Sequence, residues 1–307
     1  MNFQSMDYFV MVARELSFTK AAEALHITQQ TLSAHIAAME QELECKLLVR
    51  HVPLELTYAG EVFLRYAVDF QRKYYEMQRE FGDIVHHEKG KLRIGVAYTR
   101  GRTIMPDVIE RFQLQYPMIE IQVMERANDV LRKMLLNGEM DLIIANLPDR
   151  TPGIELLDFY EEEIVLFVSK KLLSTVYGEN MQSTIEQVEE NGDFSLFRDC
   201  PFLLNNQKDI AGRIGRHLMK RANFHPMIKA QSENMETLLD LCAKGIGACF
   251  CPENLAAKVL NEQQLSQLYS FRFDDTARYP IRFGWLEETH QWSVISNFVN
   301  KALDFGA

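Results

Sequence analysis

Between Ala24 and Met39 the sequence runs ALHITQQTLSAHIAAM without one carboxylate, and Gln29, Gln30, Thr31, Ser33 and His35 crowd its centre with hydrogen-bonding side chains. On the exposed face of one helix, such groups suit the edges of base pairs. The major groove of DNA admits a helix, and glutamine there pairs bidentately with adenine, discriminating by about 1–3 kcal/mol per good contact. Gln29, Gln30 and Ser33 are the candidate readers. Ser17, Thr19, Thr28, Thr31 and His35 are further candidate DNA contacts, with Arg50 and His51 a short way downstream. Taken alone, Gln-Gln-Thr is as readily a solvated helix face, so what surrounds it decides. A second stretch, Tyr98-Thr99-Arg100-Gly101-Arg102, offers different chemistry. Thr99 and Arg100 could hold a small molecule, with the Arg100 guanidinium forking a carboxylate. Gly101, Asn128, Asn205, Ile246 and Gly247 join them as candidate ligand contacts, each also readable as a turn or cap residue, and Arg102 also reads as a surface charge.

The elements that must position the first set are legible from apolar spacing. Phe3, Met6, Phe9, Val10, Val12 and Ala13 recur at three- and four-residue steps, which predicts a core-facing helix ending near Leu16. Ser17 caps a short second helix whose Ala21, Ala22 and Leu25 let a neighbour approach closely. Thr28 caps a third, with Leu32, Ile36, Met39 and Leu43 inward. Leu47–Val49 and Leu54–Leu56 flank a Pro53 turn and predict the two strands of a wing with Arg50 and His51 at its tip. Thr57 then caps a long helix running to about His87, along which Phe63, Tyr66, Phe70, Tyr74, Met77, Phe81 and Ile84 form a coiled-coil seam. So long a helix cannot bury that stripe on a small winged domain. A second copy of the chain is the expected partner, and packing onto the rest of its own chain is the alternative.

Beyond a polar hinge at Glu88-Lys89-Gly90-Lys91, strands and helices alternate. Leu92–Ala97, Ile119–Val123 and Asp141–Leu147 read as strands, with helices at Thr103–Tyr116 and Val130–Leu136. A like series recurs at Phe202–Leu204, Ile210–Ala222, Met227–Ala230, Glu233–Lys244 and Ala248–Cys251. Ile164–Ser169 reads as a strand crossing between the two series, Arg282–Trp285 as one returning, and Trp292–Leu303 as a last helix. These are βα units on parallel sheets, in two lobes. Ligands of such folds bind at the carboxyl ends of the strands, where helix N-termini favour anions, so the expected ligand is anionic.

Composition bounds the class. The 307 residues are 47% apolar and 25% charged, without a long uncharged apolar run, and the N-terminus lacks a basic, cleavable leader pattern. The expectation is a soluble, cytoplasmic, unexported protein. Five cysteines, odd in number and mostly in apolar segments, argue against a disulfide framework, and Cys249-x-Cys251 has neither metal-ligand nor redox spacing. No nucleophile, base or paired-carboxylate set emerges, Glu161-Glu162-Glu163 reads as a solvated charge run, and no cofactor, metal or membrane partner is expected. Net charge argues against a polyanionic partner: −10 overall, with eight basic and thirteen acidic side chains in residues 1–88. DNA binding must therefore be a local property of the carboxylate-free face.

As a set with fixed spacing, Phe9 and Ala13, Ser17-Phe18-Thr19 with Ala21-Ala22 and Leu25, then Gln29, Ser33, Glu40, Leu43, Leu47, Arg50 and Thr57-Ala59-Gly60, resemble the LysR-type transcription regulators. The resemblance covers the whole chain. It departs at Gln30, Glu44 and Leu48, where the family usually has proline, glycine and phenylalanine. It implies an α/β multidomain chain. A winged helix-turn-helix would occupy residues 1–58 and a coiled-coil linker helix residues 59–88. A two-lobed, periplasmic-binding-protein-like sensor would occupy 89–307, with lobe I about 91–163 and 270–307 and lobe II about 164–269. The implied function is DNA-binding transcriptional control by a small-molecule effector, as a homodimer or homotetramer on a double-stranded operator. Some relatives use a cysteine near Cys200 as a peroxide sensor, but no second cysteine follows nearby here. The alternative reading is a cytoplasmic small-molecule-binding protein or enzyme whose N-terminal helices only dimerise.

Overall fold

In a computed structural model, which describes residues 2–51, 53–84, 89–206, 209–273, 277–287 and 292–306, the first apolar spacing becomes α1 (Phe3–Glu15). Asn2 caps it by accepting from the Ser5 amide at 2.8 Å. α2 (Phe18–Ala24) follows behind its Ser17 cap, and its buried Ala21 and Ala22 let α1 and α3 (Gln29–Glu42) close on it. His26, at φ 54°, makes the left-handed step between α2 and the Thr28 cap of α3. The wing is a two-strand ribbon, β1 (Leu48–Val49) antiparallel to β2 (Glu55–Leu56). Phe9, Val12, Ala21, Ala22, Leu32, Ile36, Met39, Leu47 and Leu48 form the core of this unit.

Thr57 joins wing to linker helix. Its hydroxyl donates to the Lys46 carbonyl at 2.6 Å and accepts from the Gly60 amide at 3.0 Å, opening α4 (Tyr58–Ile84). Gly60 lies so close to Leu47 that any Cβ there would overlap the Leu47 carbonyl oxygen, which explains a glycine inside the first turn of a helix. The side of α4 bearing Phe63, Leu64, Ala67 and Val68 packs on Met6 and Val10 of α1.

Gly90–Leu135, Met140–Glu287 and Val294–Ala307 form a second compact unit. Its first series is β3 (Gly90–Val96), α5 (Tyr98–Thr103), α6 (Met105–Gln115), β4 (Ile119–Glu125), α7 (Asn128–Leu136) and β5 (Leu142–Ala145). The long β6 (Ile154–Ser169) leads to α8 (Lys170–Tyr177) and α9 (Met181–Asn191). A second series follows: β7 (Pro201–Asn205), α10 (Ile210–Arg221), β8 (Met227–Ser232), α11 (Met235–Ala243), β9 (Ala248–Pro252), α12 (Glu253–Val259) and α13 (Glu262–Leu265). The described residues end with β10 (Leu268–Phe271), β11 (Arg278–Leu286) and α14 (Ser293–Gly306).

The strand order is β4-β3-β5-β11-β6-β9-β7-β8, with β10 beside β6. β3 runs parallel to β4 and β5, and β7 parallel to β8 and β9, whereas β6 and β11 are antiparallel to their neighbours. Residues 154–163 of β6 pair with β11, and residues 164–167 pair with β9. One continuous strand thus leaves the first half of the sheet and enters the second. The second half has an aromatic core in which Phe194 contacts Phe197, Phe202, Phe224 and Phe250, each buried phenylalanine stabilising by about 1.5–3 kcal/mol.

Three local expectations are corrected. Tyr98–Thr103 is a helical turn rather than a loop, closed by the Arg100 and Gly101 amides on the Ala97 carbonyl, and Gly101 within it leaves room for the Glu125 side chain lying against it. Glu161-Glu162-Glu163 belongs to β6, and strand alternation turns Glu162 inward to 2% exposure. Phe63, expected in the exposed seam, faces α1 and meets the Phe9 ring edge-on at 5.0 Å.

Candidate functional site

The N-terminal turn of α3 presents Gln29, Gln30 and Thr31 to solvent, with Ser33 half-buried one turn on. Thr28 is engaged as the cap, accepting from the Thr31 amide at 3.2 Å and bonding the Thr31 hydroxyl at 2.8 Å. That locks the first turn and leaves both glutamines free to reach outward. Thr19 is exposed on α2, while the Ser17 hydroxyl accepts from the Lys20 amide at 3.4 Å. His35 is placed differently from expectation. Its ring meets Tyr8 edge-on at 4.9 Å and its Nδ1 bonds the Ser5 hydroxyl at 3.3 Å, so it fastens α3 to α1.

Behind this face stands a residue whose role the spacing did not disclose. Glu40 lies on the inner side of α3 at 2% exposure and gathers the wing onto the helix. It accepts from the Leu47 and Leu48 amides at 3.0 and 3.3 Å, from Lys46 Nζ at 2.9 Å and from Arg50 Nη2 at 3.4 Å. Burial pushes its carboxyl up, but the Lys46 hydrogen bond and the two amides outweigh that and hold it below its ordinary value of 4.5. Arg50 also lies over the Phe18 ring, 5.5 Å from its centroid, and His51 Nδ1 bonds the Pro53 carbonyl oxygen at 2.7 Å. Both remain exposed at the wing tip. A carboxylate four residues after Ile36, on the apolar stripe, was the available signal.

The second candidate set sits where the two halves of the sheet meet. α5 packs on β4 of the first half and on α12 of the second, with Thr99 half-buried. Arg100 is buried at 2% exposure, and its Nη2 donates to Glu162 Oε2 at 3.0 Å. It therefore does not stand free to fork an incoming carboxylate. The Tyr160 hydroxyl donates to Glu162 Oε1 at 2.6 Å, and the Tyr279 hydroxyl to Oε2 at 2.7 Å. Burial pushes both phenols well above their ordinary range, with the Glu162 charge adding to it. Across the junction Asp209 caps α10, accepting from the Ala211 and Gly212 amides at 2.8 and 3.3 Å. Burial raises its carboxyl, and those amides oppose the rise. The α10 N-terminus thus spends amide donors on the protein's own carboxylate.

The remaining candidates act nearer the backbone. Asn128 Oδ1 accepts from the Asn146 amide at 3.2 Å and ties the start of α7 to the end of β5. Asn205 is buried at the end of β7, with its carbonyl receiving Arg216 Nη2 at 3.0 Å. Ile246 is exposed, and Gly247 is buried so tightly that a Cβ would lie 3.0 Å from the Leu203 side chain and the Pro201 carbonyl. Cys200 is buried beside the Tyr177 hydroxyl at 3.4 Å, and burial pushes its thiol up to about 11, the wrong direction for a reactive thiolate. Cys249 and Cys251 are buried core residues. Among the described residues no group of three or more His, Cys, Asp or Glu could hold a metal, and no helix is long and apolar enough to cross a membrane.

On α4, Tyr66, Phe70, Tyr74, Met77 and Phe81 are exposed along one side, which adjoins the face that meets α1. The Tyr74 ring also approaches Phe3 at 5.5 Å. The Ile84 side chain lies outside what is described, as do His86 and His87.

Residues 3–61 match the model of the bacterial regulatory helix-turn-helix proteins of the lysR family, and residues 86–305 that of the LysR substrate binding domain. The chain belongs to the LysR family. It is a LysR-type transcriptional regulator with a DNA-binding helix-turn-helix and an effector-binding domain. Among its relatives, the HTH-type transcriptional regulator YcgK of Bacillus subtilis (strain 168) is 30% identical over 259 residues, 82% of this chain and 80% of that one. The HTH-type transcriptional regulator IlvY of Escherichia coli (strain K12) is 27% identical over 255 residues, 82% of each chain. Full-length CbnR, solved in complex with its target DNA, shares the LysR fold at TM-score 0.62 and 22% identity over 100% of both chains. ArgP from Mycobacterium tuberculosis does so at 0.63 and 19% identity, over 99% of this chain and 96% of its own.

Proposed function

We propose that this LysR-type regulator reads its operator with Gln29, Gln30 and Ser33 in the major groove, while Arg50 and His51 at the wing tip and Thr19 on α2 meet the sugar-phosphate backbone. The observation that carries the reading is the outward-facing first turn of α3, locked by Thr28 and free of carboxylates, with exposed basic wing residues beside it. Phosphate contacts position a protein on DNA, and base-edge contacts choose the site. The exposed row Tyr66, Phe70, Tyr74, Met77 and Phe81 supports pairing of two copies through α4. A dimer would present two recognition helices to a partly symmetric operator, and sensor contacts could join dimers into a tetramer.

In this reading the junction around Thr99, Arg100 and Asn205 is the effector cleft, and the molecule acts in the cytoplasm as a regulator and not as an enzyme. A ligand held between the two halves of the sheet shifts the operator-bound assembly only through its different affinity for two arrangements of those halves. The domain limits that fit this reading are 1–58, 59–88 and 89–307. The test is a gel-shift titration of the full chain on the intergenic DNA beside its gene, with sedimentation of the free protein. A dimer or tetramer that prefers this DNA to random sequence is expected. A monomer indifferent to it at low salt would overturn the reading.

A further inference from the structure

We propose that the ligand of the cleft meets Arg100 through its Nε–H, with an uncharged oxygen acceptor such as an amide, carbonyl or hydroxyl, and that this ligand carries no net negative charge. The proposal rests on the effector-cleft reading of the same junction. Its starting point is a mismatch within one side chain. The Arg100 guanidinium is buried, and its charge is matched by the equally buried Glu162, yet its Nε–H has no hydrogen-bond partner. A buried donor left unmet is costly, so an acceptor of some kind belongs there.

Position and charge say which kind. Arg100 lies on the helix that packs on elements of both halves, and Glu162 lies on β6, the strand that crosses between them, with Tyr279 of β11 as its register partner. Asp209, from the second half, is within electrostatic reach of both Arg100 and Tyr279. Glu125 lies against Gly101, the next residue along α5. A ligand carboxylate at Nε would bring a further negative charge to a place where Glu162 already answers the guanidinium and where Asp209 and Glu125 stand near. Like charges held together out of water disfavour binding strongly. A neutral oxygen takes the same N–H without that penalty. Glu162, held by two tyrosine hydroxyls, thus occupies the role that an anionic ligand would otherwise take.

The test compares the melting of the full-length wild type, Glu162→Gln, and the neutral pair Arg100→Met/Glu162→Gln, in sodium acetate and in acetamide at constant ionic strength. The wild type should respond to acetate no more than the neutral pair does. Glu162→Gln, with the Arg100 charge unanswered, should gain a saturable acetate-dependent rise of several degrees that acetamide does not give. A variant that folds only in acetate makes the same point. In a panel of matched pairs such as succinate with succinamide and benzoate with benzamide, a stabiliser of the wild type should be the amide, with the acid about tenfold weaker or worse.

Saturable stabilisation of the wild type by acetate, lost in the neutral pair, would overturn the proposal. So would a folded Glu162→Gln that ignores acetate, because Arg100 would then be sealed from small molecules with only a buried water at its Nε. If Glu162→Gln folds under neither condition, the wild type and neutral pair alone decide. These readouts involve no DNA. Failure of every ligand to alter operator binding would remove the sensing role while leaving the acetate response standing.

Discussion

Each unit of this regulator buries a carboxylate against an arginine, and the two are wired for different ends. Glu40 faces cations that stay in water: Lys46 and Arg50 keep 74% and 43% of their side-chain surface exposed while leaning on it. Two backbone amides supply its constant partners, so the wing stays in place if the cations turn elsewhere. Glu162 meets an arginine as buried as itself and two tyrosine hydroxyls, and nothing in that set can move away cheaply. The lesson is one of availability. On the DNA-binding unit the positive charge remains open to a phosphate partner, whereas at Arg100 it is compensated internally by Glu162 and only one guanidinium N–H is left unpaired.

The comparison breaks most visibly at the buried pair. Arg100→Met leaves Glu162 charged without its cation and should cost about 3–5 kcal/mol of stability, read by denaturant unfolding of the sensor unit. Arg100→Met/Glu162→Gln should recover most of that, because the glutamine amide accepts from one tyrosine hydroxyl and donates to the other. A loss below about 1 kcal/mol for the single variant would mean the pair is solvated, as surface pairs are.

Glu40→Gln should cost less, about 1–3 kcal/mol, with hydrogen exchange quickening at the Leu47 and Leu48 amides. Its pH dependence has a definite sign. Folding holds the Glu40 carboxyl below 4.5, so its contribution is present above that value and is lost as pH falls through the lowered folded value. Wing protection should therefore fall more steeply below about pH 4.5 in the wild type than in Glu40→Gln. The smallest effect belongs to Glu44, which takes φ 55° just after α3. Glu44→Gly removes the side-chain penalty of that conformation and should raise stability by about 1 kcal/mol in thermal unfolding.

How much was legible follows from how local each signal is. Leu32, Ile36 and Met39 define the inner side of α3 within one helix, and the buried strands β3, β5, β7 and β9 announce themselves as short apolar runs. The helix-turn-helix, the wing and the two-part sheet were readable for that reason. The central features of the sensor were not, because they depend on distant partners. Glu162 looks like one of three solvated carboxylates until Arg100, 62 residues away, is brought against it. His35 reads as part of the DNA face until Tyr8 and Ser5 turn it inward. Phe63 fits the seam spacing of α4 equally well, and only the Phe9 ring decides that it belongs to the core. The pair α8 and α9 gave little signal, since their short apolar stripes are interrupted by polar residues on every turn.

The reading of bases by α3 is tested most directly by the affinity of Gln29→Ala/Ser33→Ala for the operator fragment and for random DNA of equal length, at one fixed salt concentration. The account predicts a selective loss: operator affinity falls by about 1–3 kcal/mol for each good base contact removed, while random-DNA affinity, carried by phosphate contacts, stays nearly unchanged. Equal loss on both DNAs, or no loss on either, would contradict it.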